Sequence, residues 1–500
     1  MTMEPKSREL LILAEGAGIN LAARSFGRGL TALTQVVLAR ALGPAAFGSY
    51  AIGWSILKLG SLIAPLGLDH GVIRYASHLR VQGRTGLRGI FLPALAITAG
   101  VGALLGGVLF VAASFLATVV FEDAALVGVL RWISPGIAIA AVLAVAAAAT
   151  RVSQRMGYAV AAEEVVQPAS HLLLVGAAFL LGWGLLGAIG AAVVSLGLGA
   201  VLALFWLARL FPEAFTGRGE ARPRLRELMG FSSLAWLARI MTRALSRMDP
   251  IILAVFRPVE EVGTYQAASQ VAMFISVVLG AFNAIFGPLI AELYQRGDKE
   301  QLNELFKVST KWGLYVSLPL FLVVALAPRQ VMTVVFGVPY AQGTPALALL
   351  AAAGIVNVGT GSTGLILMMT GKARDWLLLS ALGLAMNVGI SWVLASQYGS
   401  IGVALGTLMA VLTLFLAGLL RVKHTLGLWP YDRRLRKAGV AALLAGGAVT
   451  LVRSLSGSGT FLDLVWLGAA CLGVFSVSLI AMGFDAEDRV VWRWLRTIAG

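Results

Sequence analysis

Cysteine, histidine and charged side chains are all scarce in this 500-residue chain. Cys471 is the single cysteine, which excludes a disulfide framework and a cysteine-ligated metal cluster. Four histidines without clustered acidic or cysteine partners give no support to a metal hydrolase. The phosphate-binding P-loop pattern is also missing, so the sequence shows no sign of a built-in ATPase. We therefore expect no metal, no cofactor and no catalytic residues.

Charged residues make up 13% of the sequence, whereas hydrophobic residues make up 59%. So little polar surface cannot coat soluble domains of this size. A bilayer core of about 30 Å needs about 20 apolar residues per helix, and windows of that length predict an all-α membrane protein with fourteen transmembrane helices. They cover residues 16–38, 48–68, 89–116, 126–149, 160–182, 184–208, 230–255, 262–291, 311–335, 343–369, 375–396, 400–420, 438–454 and 461–482.

The chain has a net charge of +15, and its basic residues are distributed along the sequence in agreement with the predicted topology. Lys and Arg concentrate in alternate connections, and an excess of these residues marks the cytoplasmic side. The opposite connections carry few of them and hold Glu122, Asp123, Glu260 and Glu261. We therefore predict a multi-pass protein of the inner (cytoplasmic) membrane with both termini in the cytoplasm, and no nucleic-acid partner. The outer connections are too short for an outer catalytic domain.

Labelling of introduced cysteines tests this topology. In a Cys471→Ser background, Gly83→Cys and Glu300→Cys should react with an impermeant maleimide only from the cytoplasmic side. Glu122→Cys and Glu261→Cys should react from outside, because the Lys and Arg excess assigns those connections to the outer face. Reaction of Gly83→Cys in intact cells would reject the orientation.

An internal repeat relates two parts of the chain at an offset of 215 residues. LARALGPAAFGSY from Leu38 parallels LAVFRPVEEVGTY from Leu253, and WGLLGA from Trp183 parallels YGSIGVA from Tyr398. The constant offset predicts two six-helix lobes related by a parallel repeat, with a pseudo-two-fold axis along the membrane normal. We predict an N-lobe (1–210), a cytoplasmic linker (211–229), a C-lobe (230–425) and a final segment (426–500) with a connector, two further helices and a cytoplasmic tail.

Cations recur at equivalent positions of the two predicted lobes. Arg24 and Arg28 lie one helical turn apart on the first predicted helix, and the offset of 215 leads from them to Arg239 and Arg243. Arg247 adds one more turn on that face. Each charge at the centre of a bilayer costs about 2.5–3.5 kcal/mol on the insertion scale, so a set of such cations indicates a functional site.

Other polar residues accompany these arginines. Asn20 and Gln35 extend the polar stripe of the first predicted helix, and Lys58 lies near the middle of the second. Asp249, near the outer end of the seventh predicted helix, is expected to neutralise Arg247 or another nearby cation. We rate this role above one in ion coupling.

The fifth predicted helix begins with Glu163 and Glu164 and carries His171 about two turns in. We interpret the glutamates as charges at the cytoplasmic interface. His171 is expected to be hydrogen-bonded between helices rather than to act as a proton relay. Two matches to the glycine-rich dinucleotide pattern, at 182–187 and 359–364, do not follow a strand of a βαβ unit and are interpreted as false positives.

Several motifs resemble the bacterial polysaccharide transporter family. They are AFGSY after the first helix, the segment from Asp249 to VGTY, and GKARDW from Gly371 followed by Asn387 and YGSIGVALGT. This family is the oligosaccharide (O-antigen, Wzx-type) flippase branch of the multidrug/oligosaccharidyl-lipid/polysaccharide exporter superfamily. The resemblance covers residues 16–425 and implies two six-helix lobes around a central cavity, which helices 1, 2, 7 and 8 line.

The resemblance also implies a function. A flippase of this family is not an enzyme and moves undecaprenyl-pyrophosphate-linked oligosaccharide from the cytoplasmic to the outer leaflet by alternating access, for O-antigen or exopolysaccharide synthesis. Membrane lipid and polysaccharide assembly proteins are the other expected partners, and a monomer is expected. The last two helices are expected to guide the lipid tail. By this resemblance, the cations expected to bind the diphosphate are Arg24, Arg28, Lys58, Arg239, Arg243 and Arg247. Accessory or coupling roles are expected for Asn20, Gln35 and Asp249.

Alternatives remain open at this point. Lipid II flippases of the same superfamily have a cavity arginine on helix 8, whereas residues 262–291 here contain no Lys or Arg, which favours an oligosaccharide substrate. A membrane-embedded polysaccharide polymerase or ligase needs a sizeable outer loop, and none is visible. Drug extruders of the superfamily tend to use acidic cavity residues. The cations could also be solvated by water in a cavity and only keep other cations out.

Overall fold

The computed structural model describes the backbone of residues 5–81, 86–155, 157–215, 236–455, 460–483, 485 and 487–488, and their side chains except those of 5–22, 80–81 and 284–285. Every regular element in these ranges is helical. The chain forms two compact units, Met1–Gly263 and Thr264–Gly500. The boundary between them lies within one long helix, α11 (Val259–Gln295).

The first unit begins with the longest helix, α1 (Pro5–Ile63). The helices that follow it are α2 (Leu68–Val81), α3 (Arg88–Phe115), α4 (Leu126–Ile133), α5 (Pro135–Arg151), α6 (Gly157–Val160), α7 (Gln167–Leu180), α8 (Gly184–Leu210), α9 (residues 236–245) and α10 (Met248–Phe256). A π-helical turn (Leu116–Val120) prolongs α3, and a second one (Ala161–Val166) joins α6 to α7.

The second unit contains most of α11 and all later helices. These are α12 (Lys299–Leu326), α13 (Pro328–Val335), α14 (Thr344–Gly359), α15 (Thr363–Met369), α16 (Ala373–Leu426), α17 (Arg434–Leu455) and α18 (Phe461–Ala481). An apolar cluster that includes Ala327, Ala441 and Cys471 packs α17 and α18 beside the end of α12.

Two glycines break long helices where the sequence predicts a turn. Gly43 has φ 72° within α1 and precedes Pro44, which has no backbone N–H to donate. Gly399 has φ 55° within α16. Across that second break, the amide of Asn387 donates to Thr407 Oγ1 at 3.1 Å, so the two halves of α16 fold back on each other. Each break separates two predicted transmembrane segments.

Another pair of glycines allows a close helix crossing within the first unit. A Cβ on Gly48 would lie 1.8 Å from the carbonyl oxygen of Val259, and a Cβ on Gly263 would lie 1.9 Å from that of Pro44. Any side chain at either glycine would therefore force the helices apart. Gly48 and Gly263 are 215 residues apart, and so are their contacts Pro44 and Val259, as the predicted repeat requires. The repeat itself stays a prediction.

Ten helical segments in the described ranges are long and apolar enough to cross a membrane. Large apolar side chains such as Val111, Val201 and Leu443 are exposed on them, as expected for surfaces that face lipid. The predicted class, an all-α multi-pass membrane protein, is confirmed. The number of fourteen helices stays a prediction.

Residues 236–263 belong to the first compact unit, whereas the predicted lobes assign them to the second. The physical reason is their contact with α1 and α2. The indole N–H of Trp236 donates to the carbonyl oxygen of Leu62 at 3.1 Å, and Arg239 forms an ion pair with Asp69. The predicted domain boundaries rest on the repeat and are not tested by this grouping.

A charged cluster in the second unit joins α12 to the chain that follows α18. Lys311 is 1% exposed, and its ammonium group lies 2.6 Å from Glu487, 2.8 Å from Asp488 and 3.4 Å from Asp485. The indole N–H of Trp312 also donates to Asp488 at 3.0 Å. We call these three acidic residues the acidic tail.

The α17 helix contributes cations to the same cluster. Arg434 donates to Glu487 at 3.1 Å, and Lys437 donates to Asp485 at 2.7 Å. Burial raises the pKa of Asp485, but the hydrogen bond from Lys437 and the charge of Lys311 lower that pKa by more. The pairing therefore ties α12, α17 and the acidic tail together through charge.

Candidate functional site

The first half of α1 packs against the π-helical turn at residues 161–166. A Cβ on Gly27 would lie 1.7 Å from the carbonyl oxygen of Glu164, so the two backbones touch. Arg24 and Arg28 flank Gly27 on α1 and are carried to this contact. A π-helical turn is wider than an α-helical one and is frequent at functional sites. The sequence offers no local signal for it.

The second half of α1 presents a column of rings that ends at a cation. Tyr50, Trp54 and Lys58 follow one another at four-residue spacing, and the Lys58 ammonium lies 4.4 Å from the centre of the Trp54 ring. The rings of Tyr50 and Trp54 stack with that of His171 on α7. The Tyr50 hydroxyl lies 3.3 Å from His171 Nε2. His171 is thus hydrogen-bonded between helices, as expected.

The arginines of the seventh predicted helix lie on and after α9. Arg239 and Arg243 are one turn apart on α9, and Arg247 lies in the turn before α10. Arg239 Nη1 lies 2.6 Å from Asp69 Oδ2, in the first turn of α2. This ion pair and the Trp236 hydrogen bond hold α9 against the end of α1.

These elements enclose a cavity of about 360 Å³ within the first unit. Among the described residues, its charged lining consists of four cations and two carboxylates, so positive charge predominates. The charged residues are Lys58, Arg239, Arg243, Arg247, Glu163 and Glu164. The remainder of the lining is Ser61, Leu62, Pro65, Ala140, Leu143, Ala144, Gln167 and Leu196.

Two arginines near this cavity have donors that are not used within the described part of the chain. The buried Nε atoms of Arg24 and Arg239 make no hydrogen bond there. A buried donor without a partner costs about 1–3 kcal/mol. The arrangement as a whole suits a compact polyanion such as a diphosphate.

The structure brings most of the sequence-predicted cations together. Lys58, Arg239, Arg243 and Arg247 line one cavity. Arg24 and Arg28 do not line it, but they lie on α1 beside Gly27, which packs against the backbone of Glu164. The roles predicted for all six remain hypotheses.

The predicted accessory residues are more scattered. Gln35 is buried on α1, and Asp249 is buried in the first turn of α10. Asn20 falls in α1, but its side chain lies outside the described residues. Neither Gln35 nor Asp249 contributes to the cavity lining, and the roles of all three residues remain hypotheses as well.

Four residues of the site escaped the sequence analysis or received another role there. Glu163 and Glu164, interpreted as interface charges, line the cavity together with Gln167. Asp69 holds Arg239. The sequence signal that could have identified the two glutamates as site residues is their position side by side in an otherwise apolar segment. The described residues contain no group of three or more His, Cys, Asp or Glu that could hold a metal ion.

Comparison with known proteins first identifies relatives by sequence. The chain is 25% identical to the teichuronic acid biosynthesis protein TuaB of Bacillus subtilis over 179 residues, which is 35% of this chain and 36% of TuaB. It is 23% identical over 189 residues to Agl15 of Haloferax volcanii, described as a probable low-salt glycan biosynthesis flippase, which is 37% of this chain and 39% of Agl15. The matches therefore span less than half the length of these relatives.

Solved structures share the fold. The lipid II flippase MurJ in an inward closed conformation matches with a TM-score of 0.72 and 12% identity, over 92% of this chain and 98% of MurJ. An inward-facing multidrug resistance MATE family transporter of the MOP superfamily matches with a TM-score of 0.62 and 17% identity, over 79% of this chain and 95% of the transporter. At these identities the likeness establishes the fold only.

A family model gives the assignment. The model described as polysaccharide biosynthesis protein matches residues 37–345, which is well over half of the chain and includes Lys58, Arg239, Arg243 and Arg247. The match agrees with the sequence motifs, with the named relatives and with the shared fold. The chain belongs to the polysaccharide biosynthesis protein family.

Proposed function

We propose that this protein is a flippase that moves an undecaprenyl-pyrophosphate-linked oligosaccharide from the cytoplasmic to the outer leaflet of the inner membrane by alternating access. The observation that carries the proposal is the cavity whose lining includes Lys58, Arg239, Arg243 and Arg247. The substrate's diphosphate would bind these cations, with Arg24 and Arg28 nearby, while its prenyl tail stays in lipid.

The charge of the cavity supports an anionic cargo. Four cations against two carboxylates leave an excess of positive charge in an apolar protein, where each uncompensated charge is costly. A diphosphate offers several acceptor oxygens in a small volume, and arginine binds such groups through two parallel hydrogen bonds. The same charge disfavours the cationic drugs that multidrug extruders carry.

Membership in the family directs the proposal to glycans. Agl15 is named as a probable glycan biosynthesis flippase and TuaB as a teichuronic acid biosynthesis protein. We propose that this protein likewise acts in glycan biosynthesis and that it is a flippase. The two lobes predicted at residues 1–210 and 230–425 would alternate the access, the protein would act as a monomer, and polysaccharide assembly proteins would be its partners.

Lipid II is the second candidate substrate, because it carries the same undecaprenyl diphosphate and because MurJ shares the fold with a TM-score of 0.72. The segment 262–291 contains no Lys or Arg and so lacks the cavity arginine that the resemblance implies for lipid II flippases. This departure favours the oligosaccharide. A polymerase or ligase would need an outer loop with catalytic residues for sugar transfer. The predicted outer connections are too short for such a loop.

Reconstitution in vesicles tests the proposal. Undecaprenyl-pyrophosphate oligosaccharide extracted from the source strain is incorporated with the purified protein, and its appearance in the opposite leaflet is followed by its accessibility to an added glycosidase. We expect movement of this lipid above the rate of protein-free vesicles, slower movement of lipid II, and no new glycosidic bond. Movement of lipid II alone would establish the second candidate, and glycosyl transfer to an acceptor would establish an enzyme.

A further inference from the structure

Asp69 and Arg239 form an ion pair at the edge of the proposed substrate site. Arg239 lines the cavity, and its Nη1 lies 2.6 Å from Asp69 Oδ2. The Asp69 side chain is only 7% exposed, whereas that of Arg239 is 30% exposed. One end of the pair is therefore fixed in the protein, and the other end remains accessible from the cavity.

The pair leaves hydrogen-bonding capacity of Arg239 unused. Arg239 Nε is buried and makes no hydrogen bond in the described part of the chain. On the other side of the pair, His70 Nδ1 lies 3.1 Å from Asp69 Oδ1, within ion-pair distance. The guanidinium thus uses one contact where a carboxylate or phosphate can accept two parallel ones. An anion with two oxygens in the cavity could offer Arg239 a better arrangement than Asp69 does.

We propose that Asp69 is a specificity-determining residue, an internal anion that holds Arg239 while the cavity is empty and gives it up to the diphosphate. This inference rests on the function proposed above and adds to it. For a ligand that must displace Asp69, the apparent affinity equals the intrinsic affinity multiplied by the fraction of Arg239 that is free. A diphosphate compensates for this loss through the other cations of the cavity.

Two consequences follow for selectivity and release. An inorganic phosphate ion has fewer oxygens for Lys58, Arg243 and Arg247, so its binding depends more on Arg239. Competition with Asp69 therefore weakens the binding of phosphate more than that of a diphosphate. After the substrate has been moved, the return of Arg239 to Asp69 assists its departure. Asp69 therefore lowers affinity in exchange for selectivity and turnover.

Binding of inorganic pyrophosphate and inorganic phosphate to the full-length protein in nanodiscs tests this inference by calorimetry. Asp69→Asn keeps the shape of the side chain and removes its charge. We expect this variant to bind pyrophosphate about tenfold more tightly than the wild type and phosphate by a larger factor, because the internal competitor is gone. In the vesicle assay both KM and kcat for the lipid-linked oligosaccharide should fall, because release slows.

Two further variants serve as controls. Glu213→Gln removes the same charge from an exposed carboxylate after α8 and should leave both affinities unchanged. Asp69→Asn combined with Arg239→Ala should lose the gain in affinity, because the gain depends on the released guanidinium. If Asp69→Asn does not yield folded protein, Asp69→Ser provides the same comparison.

The outcomes separate the inference from the proposed function. Pyrophosphate binding by the wild type with equal or weaker binding by the folded Asp69 variant overturns the inference alone. A gain that persists without Arg239 also overturns it, because another group would then hold the anion. Absence of pyrophosphate binding in every variant overturns both the diphosphate site and the inference that rests on it.

Discussion

Replacement of the four cavity cations by glutamine is expected to abolish movement of the lipid-linked oligosaccharide while the protein remains folded in the membrane. The variant combines Lys58→Gln, Arg239→Gln, Arg243→Gln and Arg247→Gln. All four side chains line the same cavity of about 360 Å³, so its described lining would retain no cation to bind the diphosphate. The vesicle assay at matched amounts of protein measures the result.

The single variants should show that the cations act as one site. A hydrogen bond to a charged group contributes about 1.5–3 kcal/mol, so Arg243→Gln alone should lower transport about tenfold to hundredfold. The effects of Arg243→Gln and Arg247→Gln should not add, because both groups would contact one anion. Arg243→Lys should restore transport only in part, since lysine keeps the charge but loses the planar fork.

A stability measurement distinguishes this role from a structural one. Lys58, Arg243 and Arg247 act on one another as like charges, so removal of Arg243 or Arg247 should leave the melting temperature unchanged or raise it. Arg209→Gln is the matched control, because Arg209 is an exposed cation at the end of α8. Near-normal movement of the substrate by the quadruple variant would contradict the proposed site, and a large loss of stability would support a structural role instead.

Replacement of Lys311 by methionine is expected to cause the largest loss of stability of any single charge removal in the second unit. Lys311 is 1% exposed and is the cation shared by the three carboxylates of the acidic tail. Removal of one partner from a buried ion pair costs about 3–5 kcal/mol, because the remaining charges are left without compensation. Thermal unfolding of the purified protein followed by tryptophan fluorescence measures the effect.

Two variants serve as controls for Lys311→Met. One removes a cation from an ion pair at the surface, and the other also neutralises the carboxylate that Lys311→Met leaves unpaired. Arg421 donates two hydrogen bonds to Asp375. Arg421 is exposed and Asp375 is only partly buried, so Arg421→Gln should change the melting temperature little. Lys311→Met combined with Asp488→Asn should recover much of the stability, because the described ion pair of Asp488 is with Lys311. The other two carboxylates of the acidic tail keep their pairs with Arg434 and Lys437. A melting temperature of Lys311→Met equal to that of the wild type would contradict the expected role.

The pH dependence of this cluster follows from Asp485. Its pKa is lowered in the folded protein, so its contribution to stability is fully present above the ordinary aspartate pKa of about 3.9. That contribution is lost as the pH falls through the lowered folded-state pKa. The cluster should therefore persist at neutral pH and weaken only in strong acid.

Local physical constraints explain what could be predicted from the sequence alone. Bilayer thickness requires long apolar helices, and helical periodicity places Arg24 with Arg28 and Arg239 with Arg243 on shared faces. Gly43 and Gly399 break helices because only glycine adopts their positive φ without strain. The membrane class, these two helix breaks and the family resemblance depend on features within a few turns of chain. The structure and the comparisons confirm the class, the breaks and the family.

The tertiary structure alone decided which side chains meet. Asp69 and Arg239 are far apart in sequence, and only the packing of α9 on α1 and α2 brings them to 2.6 Å. Glu164 faces the cavity because the close approach at Gly27 and the π-helical turn orient it, although its sequence position suits an interface. Lys311 meets the acidic tail because α17 and α18 pack beside α12. Charged side chains pair only when they lie within a few ångströms of each other. The packing of distant segments decides which side chains come that close, and the periodicity of a single helix does not specify this packing.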